Sequence, residues 1–255
     1  MMSDTCFPVY LPGLWRRIVL QPGQGWIGCA LEDDIHRFHL RMDHKDGRIT
    51  SVAAKAVRHP WTGCVGAAPH LVKSLTGELL SDVAALDATQ QCTHLFDLAI
   101  LCAAHANDTR PTRFDMRVAD RVDERTTATL EQDGIERLRW QLEGTIISGP
   151  EEFAGKDVKR VSRWKSEFAP DVAEWSVLLR RTIFISGARD FEIPHGIHAS
   201  EMGPTRMGVC FNYQLPQAEE SSPLYRLRDF SMSRHEPLEG FDAKRELAAL
   251  GLSAD

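Results

Sequence analysis

Alternating apolar and polar positions in the first half of the chain predict four β-strands. These strands cover residues 14–20, 26–31, 35–42 and 48–57. The last two form a predicted hairpin, because Lys45-Asp46-Gly47 lies between them and an Asp-Gly pair favours the positive φ of tight turns. A helix is predicted next, over about 64–75, and Gly77 is suited to follow its last turn.

The second half of the chain repeats this order loosely. Its predicted elements are a strand at 113–118, a hairpin of 126–132 and 135–143 around Asp133-Gly134, and a helix that starts at Pro170. We therefore predict an α+β fold in which antiparallel sheets pack against helices, built as two loosely similar strand-hairpin-helix halves. We expect one domain over 1–255, or two intimately packed halves at 10–110 and 111–235. The C-terminal tail, 238–255, is predicted to be a peripheral helix or a frayed end.

The most informative segment lies mid-chain, at 91–106, where an almost wholly apolar helix carries a polar stripe. At 100° per residue, His94 and His105 fall on one line of this helix, with Asp97 beside it. Apolar residues cover the other sides, so two imidazoles and a carboxylate are predicted to be buried. Buried ionisable groups are paired, bound to a ligand or used in chemistry. The alternative is a pair of core histidines bonded to the backbone or to Asp97.

The first hairpin predicts where a second set of polar groups lies. A three-residue loop sets Phe38 opposite Ala54, and the same register continues until Asp34 faces Arg58. Asp34, His36 and Arg58 would then converge at the end of a buried sheet face. A guanidinium beside a desolvated imidazole suits the binding of a carboxylate next to a proton acceptor. The alternative is a salt bridge between Asp34 and Arg58, with His36 as a neighbour.

A thiol lies close to this predicted site in sequence. Cys64 follows Gly63 at the start of the predicted helix, and helix N-termini lower thiol pKa values and bind anions. Cys64 is therefore a candidate nucleophile, or a small residue that permits close packing. Trp61 is either a lid over the substrate or part of the core.

Several of these residues are also candidate metal ligands. The candidates are His36, Cys64, Cys92, His94 and Asp97, and zinc or iron is the metal class that fits them. Two side chains separated by two helical positions point about 160° apart, so Cys92 has to precede the helix if it shares an ion with His94. No CxxC pair, P-loop or dinucleotide fingerprint occurs in the chain.

Composition narrows the classes of partner. The net charge is −6 and the pI about 5.9, which argues against nucleic acid and membrane surfaces as partners. No apolar run reaches the ~20 residues that cross a bilayer, and residues 1–6 lack the pattern of a secretory signal. Six cysteines are scattered without a repeated spacing, which indicates reduced thiols and a cytoplasmic protein.

The motifs together resemble those of a bacterial family known as domain of unknown function 2889. The resemblance rests on four segments that span roughly residues 14 to 235: Asp34-Ile-His36-Arg-Phe, Arg58-His-Pro-Trp61-Thr-Gly-Cys64-Val-Gly-Ala, Gln91-Cys92-Thr-His94-Leu-Phe-Asp97-Leu and Leu178-Leu-Arg180-Arg181. It implies a bacterial protein and carries no assigned activity. A fainter similarity links the strands, Gly-Cys-x-Gly-Ala and the following helix to iron–sulfur scaffold proteins, but the further cysteines do not match their spacing.

We therefore predict a small-molecule enzyme without a cofactor, of the lyase, decarboxylase or isomerase class, that acts on an aromatic or acyl carboxylate in aromatic compound catabolism. Arg58 would bind the carboxylate, His36 or His94 would move the proton, and Asp34 and Asp97 would orient the imidazoles. The other predicted site residues are Cys64, Trp61 and Cys92. The alternatives are a metal-dependent hydrolase and a non-catalytic protein that handles iron–sulfur clusters or metals. A homodimer formed through a sheet edge is also expected.

Overall fold

A computed structural model describes residues 12–225 and 227–252 of the chain. The first six residues, on which the signal prediction rests, lie outside the described part, and so does the end of the predicted tail. The described strands form one antiparallel sheet in the order β4-β3-β2-β1-β5-β6-β7-β8. The strands are β1 Gly13–Gly23, β2 Trp26–Glu32, β3 Arg37–Lys45, β4 Arg48–Arg58, β5 Thr112–Ala119, β6 Arg125–Gln132, β7 Ile135–Glu143 and β8 Ile146–Gly149. The predicted α+β class is confirmed, and a β1–β5 pair joins the strands of the two halves.

Helices lie on both faces of this sheet. The α-helices are α1 Ala67–Leu75, α2 Thr93–Ala104, α3 Val161–Trp164, α4 Pro170–Ser186, α5 Gln217–Glu220 and α6 Ala243–Ala249. Helix α1 packs on β4, α2 packs on β2 and β3, and α4 packs across β1 and β5 to β7. The large core lies between these helices and the sheet. None of the described helices is long and apolar enough to span a membrane.

Strand β8 is missing from the sequence prediction, and the predicted tail forms the helix that was one of its two alternatives. Strand β8 is four residues long and follows β7 after a short turn, so it leaves too few residues for a visible alternation. Helix α6 is no frayed tail: Leu247 is fully buried against Ala30 on the other face of the sheet. Gly28 of β2 allows this approach, since a Cβ there would lie 2.8 Å from Leu247 Cβ.

The predicted register of the β3–β4 hairpin is wrong. The turn has two residues, Asp46 and Gly47, both with positive φ, and a bulge follows between Asp43 and His44. Phe38 therefore pairs with Ala56 and not with Ala54. The two-residue shift keeps every apolar side chain on its predicted face, because side chains alternate with period two. For this reason the hydrophobic pattern alone does not detect the error.

The shift changes what lies at the open end of the hairpin. Arg58 pairs with Arg37 in the strand ladder, and the predicted pairing of Arg58 with Asp34 does not occur. Strand β2 ends at Glu32 and β3 begins at Arg37. Residues 33–36 instead form a tight turn, closed by a hydrogen bond of 2.9 Å from the Asp33 N–H to the His36 carbonyl. This turn determines the geometry of the candidate site.

Candidate functional site

Two imidazoles stack where the β2–β3 turn meets the first turn of α2. The ring centroids of His36 and His94 lie 3.7 Å apart, with 27° between the ring planes. The Phe38 ring lies beside the pair, 5.6 Å from the His94 ring and nearly parallel to it, and 6.0 Å from the His36 ring. Both histidines are more than nine-tenths buried. Both imidazoles are candidate site residues of the sequence analysis, and their stack is the centre of the candidate site.

A buried ion pair between Arg16 and Asp33 holds the His36 ring in place. Oδ1 of Asp33 accepts the backbone N–H groups of Ile35 at 2.8 Å and His36 at 2.7 Å. The same oxygen lies 3.1 Å from His36 Nδ1. Oδ2 accepts Arg16 Nε at 2.9 Å and also Arg16 Nη2. Arg16 and Asp33 are 1% and 0% exposed, and the buried guanidinium keeps the carboxylate ionised.

These contacts define the state of each ring. Nδ1 of His36 faces a carboxylate, so Nδ1 carries the proton and Nε2 is left as a free base. Solvent reaches about 8% of the His36 side chain. Nε2 of His94 is buried and has no hydrogen-bond partner in the described part of the chain. A buried nitrogen without a partner is costly, and such groups are common where a ligand or a reaction uses them.

Burial is the main reason that both rings are neutral. Burial would raise the pKa of Asp33, but Arg16 and His36 together keep it well below its usual range. Burial lowers the pKa of His36, and Asp33 opposes that shift only in part. Burial, with further contributions from His36 and Arg16, places the pKa of His94 well below its usual range. At neutral pH the site therefore contains two imidazoles that can accept a proton.

Arg58 lies beside this turn, and both of its terminal nitrogens already donate, while its buried Nε has no partner among the described residues. Nη1 donates to the Asp34 carbonyl at 2.5 Å, and Nη2 donates to Glu32 Oε1 at 3.1 Å and to the Asp33 carbonyl. Arg58 is only 8% exposed. The predicted role of Arg58 as the group that binds a substrate carboxylate does not fit these contacts. Arg58 instead stabilises the turn that carries Asp33 and His36.

The predicted partner of the imidazoles, Asp34, points elsewhere. Its carboxylate forms an ion pair with Arg189, which also binds Asp120 at 2.8 Å and Asp229 at 3.1 Å. Asp34 Oδ1 further accepts the Phe230 N–H at 3.3 Å. Asp34 therefore connects the turn to the C-terminal segment, and the residue that contacts His36 is its neighbour Asp33.

Asp97 is close to His94 but orients a different group. It lies three residues after His94 on α2, on the same side of the helix. Its carboxylate accepts two hydrogen bonds from Arg181 of α4, from Nε at 2.6 Å and from Nη2 at 3.2 Å. Asp97 thus fixes a guanidinium next to the site. The third polar residue of the stripe, His105, lies at the other end of α2 and does not reach the site.

The predicted thiol chemistry does not fit the environment of the sulfurs. Cys64 lies in a 3-10 turn before α1, and burial raises its pKa well above the usual range. Cys92 is the residue before the first turn of α2, as the metal hypothesis required, and burial raises its pKa to about 12. Both thiols are protonated at neutral pH, and the thiolate is the nucleophile. Desolvation therefore outweighs the effect of the helix N-terminus that motivated the prediction.

Trp61 is part of the core and not a lid. It is 3% exposed, and its backbone pairs with Pro223 in an isolated β-bridge. It packs with Cys64 and Ala199 in a small apolar cluster, and its ring lies 6.0 Å from that of Tyr213. This is the alternative that the sequence left open.

One group among the described residues has the spacing of a metal site. Ligand atoms of Asp33, His36 and His94 all lie within 4.8 Å of one another. Two imidazoles and a carboxylate suit zinc or iron. However, both oxygens of Asp33 already accept hydrogen bonds from Arg16, His36 and the backbone. The imidazoles are thus the better ligands of this set, and Cys64, Cys92 and Asp97 are not part of it.

The sequence prediction missed three residues of this site: Asp33, Arg16 and Arg181. A signal existed for Asp33, because an Asp whose side chain accepts the N–H groups two and three residues later is typical of a turn. The predicted strand register continues back to Asp34, and a strand at these positions leaves no place for the turn. Arg16 lies on β1, where the alternation suggests a half-buried strand and gives no sign that one position is a buried cation.

A scan of the chain against protein-family models finds no match, and a search of curated proteins finds none either. The resemblance to domain of unknown function 2889 therefore stays a prediction. Any function for this site has to be argued from its own geometry.

Proposed function

We propose that the protein is a cofactor-independent lyase, decarboxylase or isomerase that moves a proton on an aromatic or acyl carboxylate. The observation that supports this most strongly is the Asp33–His36 pair, 3.1 Å apart and stacked on a second neutral imidazole. A carboxylate that fixes the tautomer of a histidine prepares the opposite nitrogen to act as a base. Arg16 keeps that carboxylate ionised.

The proposed step is a single proton transfer. His36 Nε2 removes a proton from the carbon next to the substrate carbonyl or carboxyl group, and the bond's electron pair stays on the substrate. The imidazolium that forms is stabilised by the ionised Asp33. Isomerisation is completed when the same proton returns to another atom of the substrate. In a decarboxylation the order differs: His36 first takes a proton from solvent, CO₂ then leaves and its bonding electron pair stays on the substrate carbon, and the imidazolium donates its proton to that carbon.

The position of the pKa predicts how activity depends on pH. Because burial lowers the pKa of His36, the base form is present throughout the neutral range. For reactions that start with proton removal, we expect kcat/KM to be flat above pH 7 and to fall in acid, with a midpoint below the usual ~6.5 of histidine. A midpoint above 7 would contradict the assignment of His36 as the base.

Deuterium exchange tests the proposal on a whole class of compounds and does not require one chosen substrate. The protein is incubated in D₂O with a panel of aromatic and acyl carboxylates, and NMR detects carbon-bound hydrogen that is replaced by deuterium. We expect exchange with at least one compound, and a loss of at least about 100-fold in His36→Gln. His235→Gln, which changes a histidine with a 74% exposed side chain, is the control and should retain the wild-type rate. Absence of exchange across the panel, or a His36→Gln variant of normal activity, contradicts the proposal.

A metal-dependent hydrolase is the second candidate, and the spacing of Asp33, His36 and His94 is the observation that favours it. A non-catalytic protein that handles metal would use the same residues. Elemental analysis of protein purified without chelators distinguishes these alternatives. Near-stoichiometric zinc or iron that disappears in His94→Ala would replace the cofactor-free proposal. A brown colour after anaerobic purification would favour the iron–sulfur alternative.

The proposal also includes the cytoplasm as the compartment. In support, all five cysteines that the structure describes are free, and four of them are buried.

A further inference from the structure

Three guanidinium groups act on the imidazole pair. Arg16 affects both rings, Arg58 affects His36, and Arg181 affects His94. A substrate carboxylate bound beside these rings needs one cation with free donors. An arginine offers five N–H donors in a planar fork, so the question is which of the three has donors left.

Two of the three have neither access nor a free edge. Arg16 is 1% exposed and donates through Nε and Nη2 to Asp33. Arg58 is 8% exposed, and both of its terminal nitrogens donate, to Glu32 and to two backbone carbonyls. Arg58 Nε is buried and has no partner among the described residues, but it is a single donor beside Nη2, which already donates twice. Neither guanidinium can therefore bind a carboxylate through two donors without breaking a buried interaction, which is strongly unfavourable.

Arg181 differs in both respects. Its side chain is 27% exposed and that of its partner Asp97 is 17% exposed, so this ion pair reaches the surface. Asp97 accepts from Nε and from one proton of Nη2, along one edge of the fork. Both protons of Nη1 and the second proton of Nη2 have no partner among the described residues. These donors form the end of the fork, which binds a carboxylate in a bidentate manner.

Asp97 places this guanidinium on the side of α2 that carries His94. Asp97 follows His94 by three residues on α2, so the group bonded to Asp97 lies on the same side of the helix, where its charge acts on His94. Arg181 comes from α4, which packs on the other half of the sheet. The ion pair therefore joins the two halves at the edge of the imidazole stack.

We infer that Arg181 binds the carboxylate of the substrate through the donors that Asp97 leaves free, next to the His36–His94 stack. The ligand class is a small monocarboxylate, and the residue that selects it is Arg181 and not Arg58. This inference rests on the proposed function, because it assumes that the substrate reacts at these imidazoles.

Benzoate and its neutral analogue benzamide test the inference directly. Binding to the purified full-length protein is measured by NMR titration at low salt. We expect Arg181→Gln to weaken benzoate binding at least tenfold and to leave benzamide binding within twofold of wild type. Arg180→Gln is the matched control: it makes the same charge change one residue away, at a side chain that donates to the Val158 carbonyl. It should bind benzoate within twofold of wild type.

Arg181→Lys keeps a cation beside Asp97 and removes the fork, so it provides the test if Arg181→Gln does not fold. We expect it to weaken benzoate binding three- to tenfold. The inference is overturned if wild type does not bind benzoate, if either Arg181 variant binds it within twofold of wild type, or if Arg180→Gln weakens it equally.

The exchange assay separates this inference from the proposed function. In one outcome, exchange requires His36 but its KM does not change in Arg181→Gln. This would support the proposed function and contradict the role of Arg181 in carboxylate binding. In the other outcome, benzoate binding requires Arg181 but no carboxylate of the panel exchanges. This would support the binding site and contradict the proposed chemistry. If the proposed function and the role of Arg181 are both correct, KM for exchange should rise at least tenfold in Arg181→Gln, with kcat within threefold of wild type.

Discussion

The two ends of α2 carry histidines from one stripe of the same helix, and their surroundings are opposite in sign. At the N-terminal end, burial and the nearby cations Arg16 and Arg181 lower the pKa of His94. At the C-terminal end, hydrogen bonds to Glu174 and Asp108 raise the pKa of His105 to about 9. The helix dipole adds to both effects, since it disfavours a cation at the first turn and favours one at the last.

This comparison shows what helical periodicity can and cannot predict. The period correctly places both rings on one side of the helix, but over 11 residues they are separated by roughly 16 Å along the axis. What each ring meets there depends on other elements: the β2–β3 turn at one end and α4 at the other. At neutral pH one imidazole is therefore uncharged, and the other is a cation in an ion pair.

The largest expected effect is the difference between the pKa values of His94 and His105. In ¹⁵N-histidine-labelled protein, His105 should titrate with a midpoint near 9, whereas the midpoint of His94 should lie well below the usual ~6.5 of histidine. This corresponds to more than about a hundredfold difference in proton affinity. The spectrum of His105→Gln assigns the His105 signal. Midpoints near 6.5 for both rings would show that the comparison is wrong.

Removal of Arg16 should have the next largest effect, on stability. Arg16→Met leaves the Asp33 carboxylate buried without its cation, and such losses cost about 3–5 kcal/mol. Urea unfolding measures the change. Arg125→Met removes a surface ion pair whose side chains are 72% and 63% exposed, so it should cost less than about 0.5 kcal/mol.

A double variant separates charge from packing at this site. Arg16→Met with Asp33→Asn removes both charges and keeps an oxygen that can accept the Ile35 and His36 N–H groups. It should recover about half of the lost stability. If the double variant is as unstable as Arg16→Met alone, the arginine acts by filling space and not by compensating the carboxylate.

The buried thiols at the N-terminal end of α2 give the third effect. A pKa of about 12 leaves roughly one thiolate in ten thousand at pH 8, so Cys92 should react with iodoacetamide at least about 100-fold more slowly than free cysteine. Mass spectrometry of peptides after timed alkylation measures this for Cys92 and Cys64, with urea-unfolded protein as the reference. Fast labelling of Cys64 in the folded protein would restore it as a candidate nucleophile.

The sequence predicted most of the architecture, because period and turn residues are local properties. Asp46-Gly47 and Asp133-Gly134 correctly placed both hairpins, and the apolar face from Pro170 correctly placed α4. The register failed because the shorter turn and the bulge each shift the pairing by one residue, and together they move no apolar side chain to the other face. Nothing in the local pattern reports such a bulge.

The site was predicted in part, and the part that failed depended on partners distant in sequence. His36 and His94 were found because buried imidazoles in apolar surroundings are conspicuous in the pattern. The partners were assigned wrongly, since Asp33 and Asp34 are adjacent and only the turn decides which one faces the ring. Arg181 lies 84 residues after Asp97, and no local rule connects the two.

The smallest effect concerns the C-terminal end of α2. Because the pKa of His105 is raised, its charged form stabilises the fold, and this contribution is complete below pH ~6.5 and is lost as the pH rises through 9. His105→Gln should therefore lower the free energy of unfolding by about 1–2 kcal/mol at pH 6 and by close to zero at pH 10. The loss at pH 6 is small because the side chains of Glu174 and Asp108 are 26% and 44% exposed, so solvent screens the ion pairs. Urea unfolding of wild type and variant from pH 6 to 10 measures the difference, in which other titrating groups cancel. An equal loss at both ends of the range would mean that His105 stabilises α2 by packing, and the contrast between its two ends would then be one of burial and not of charge.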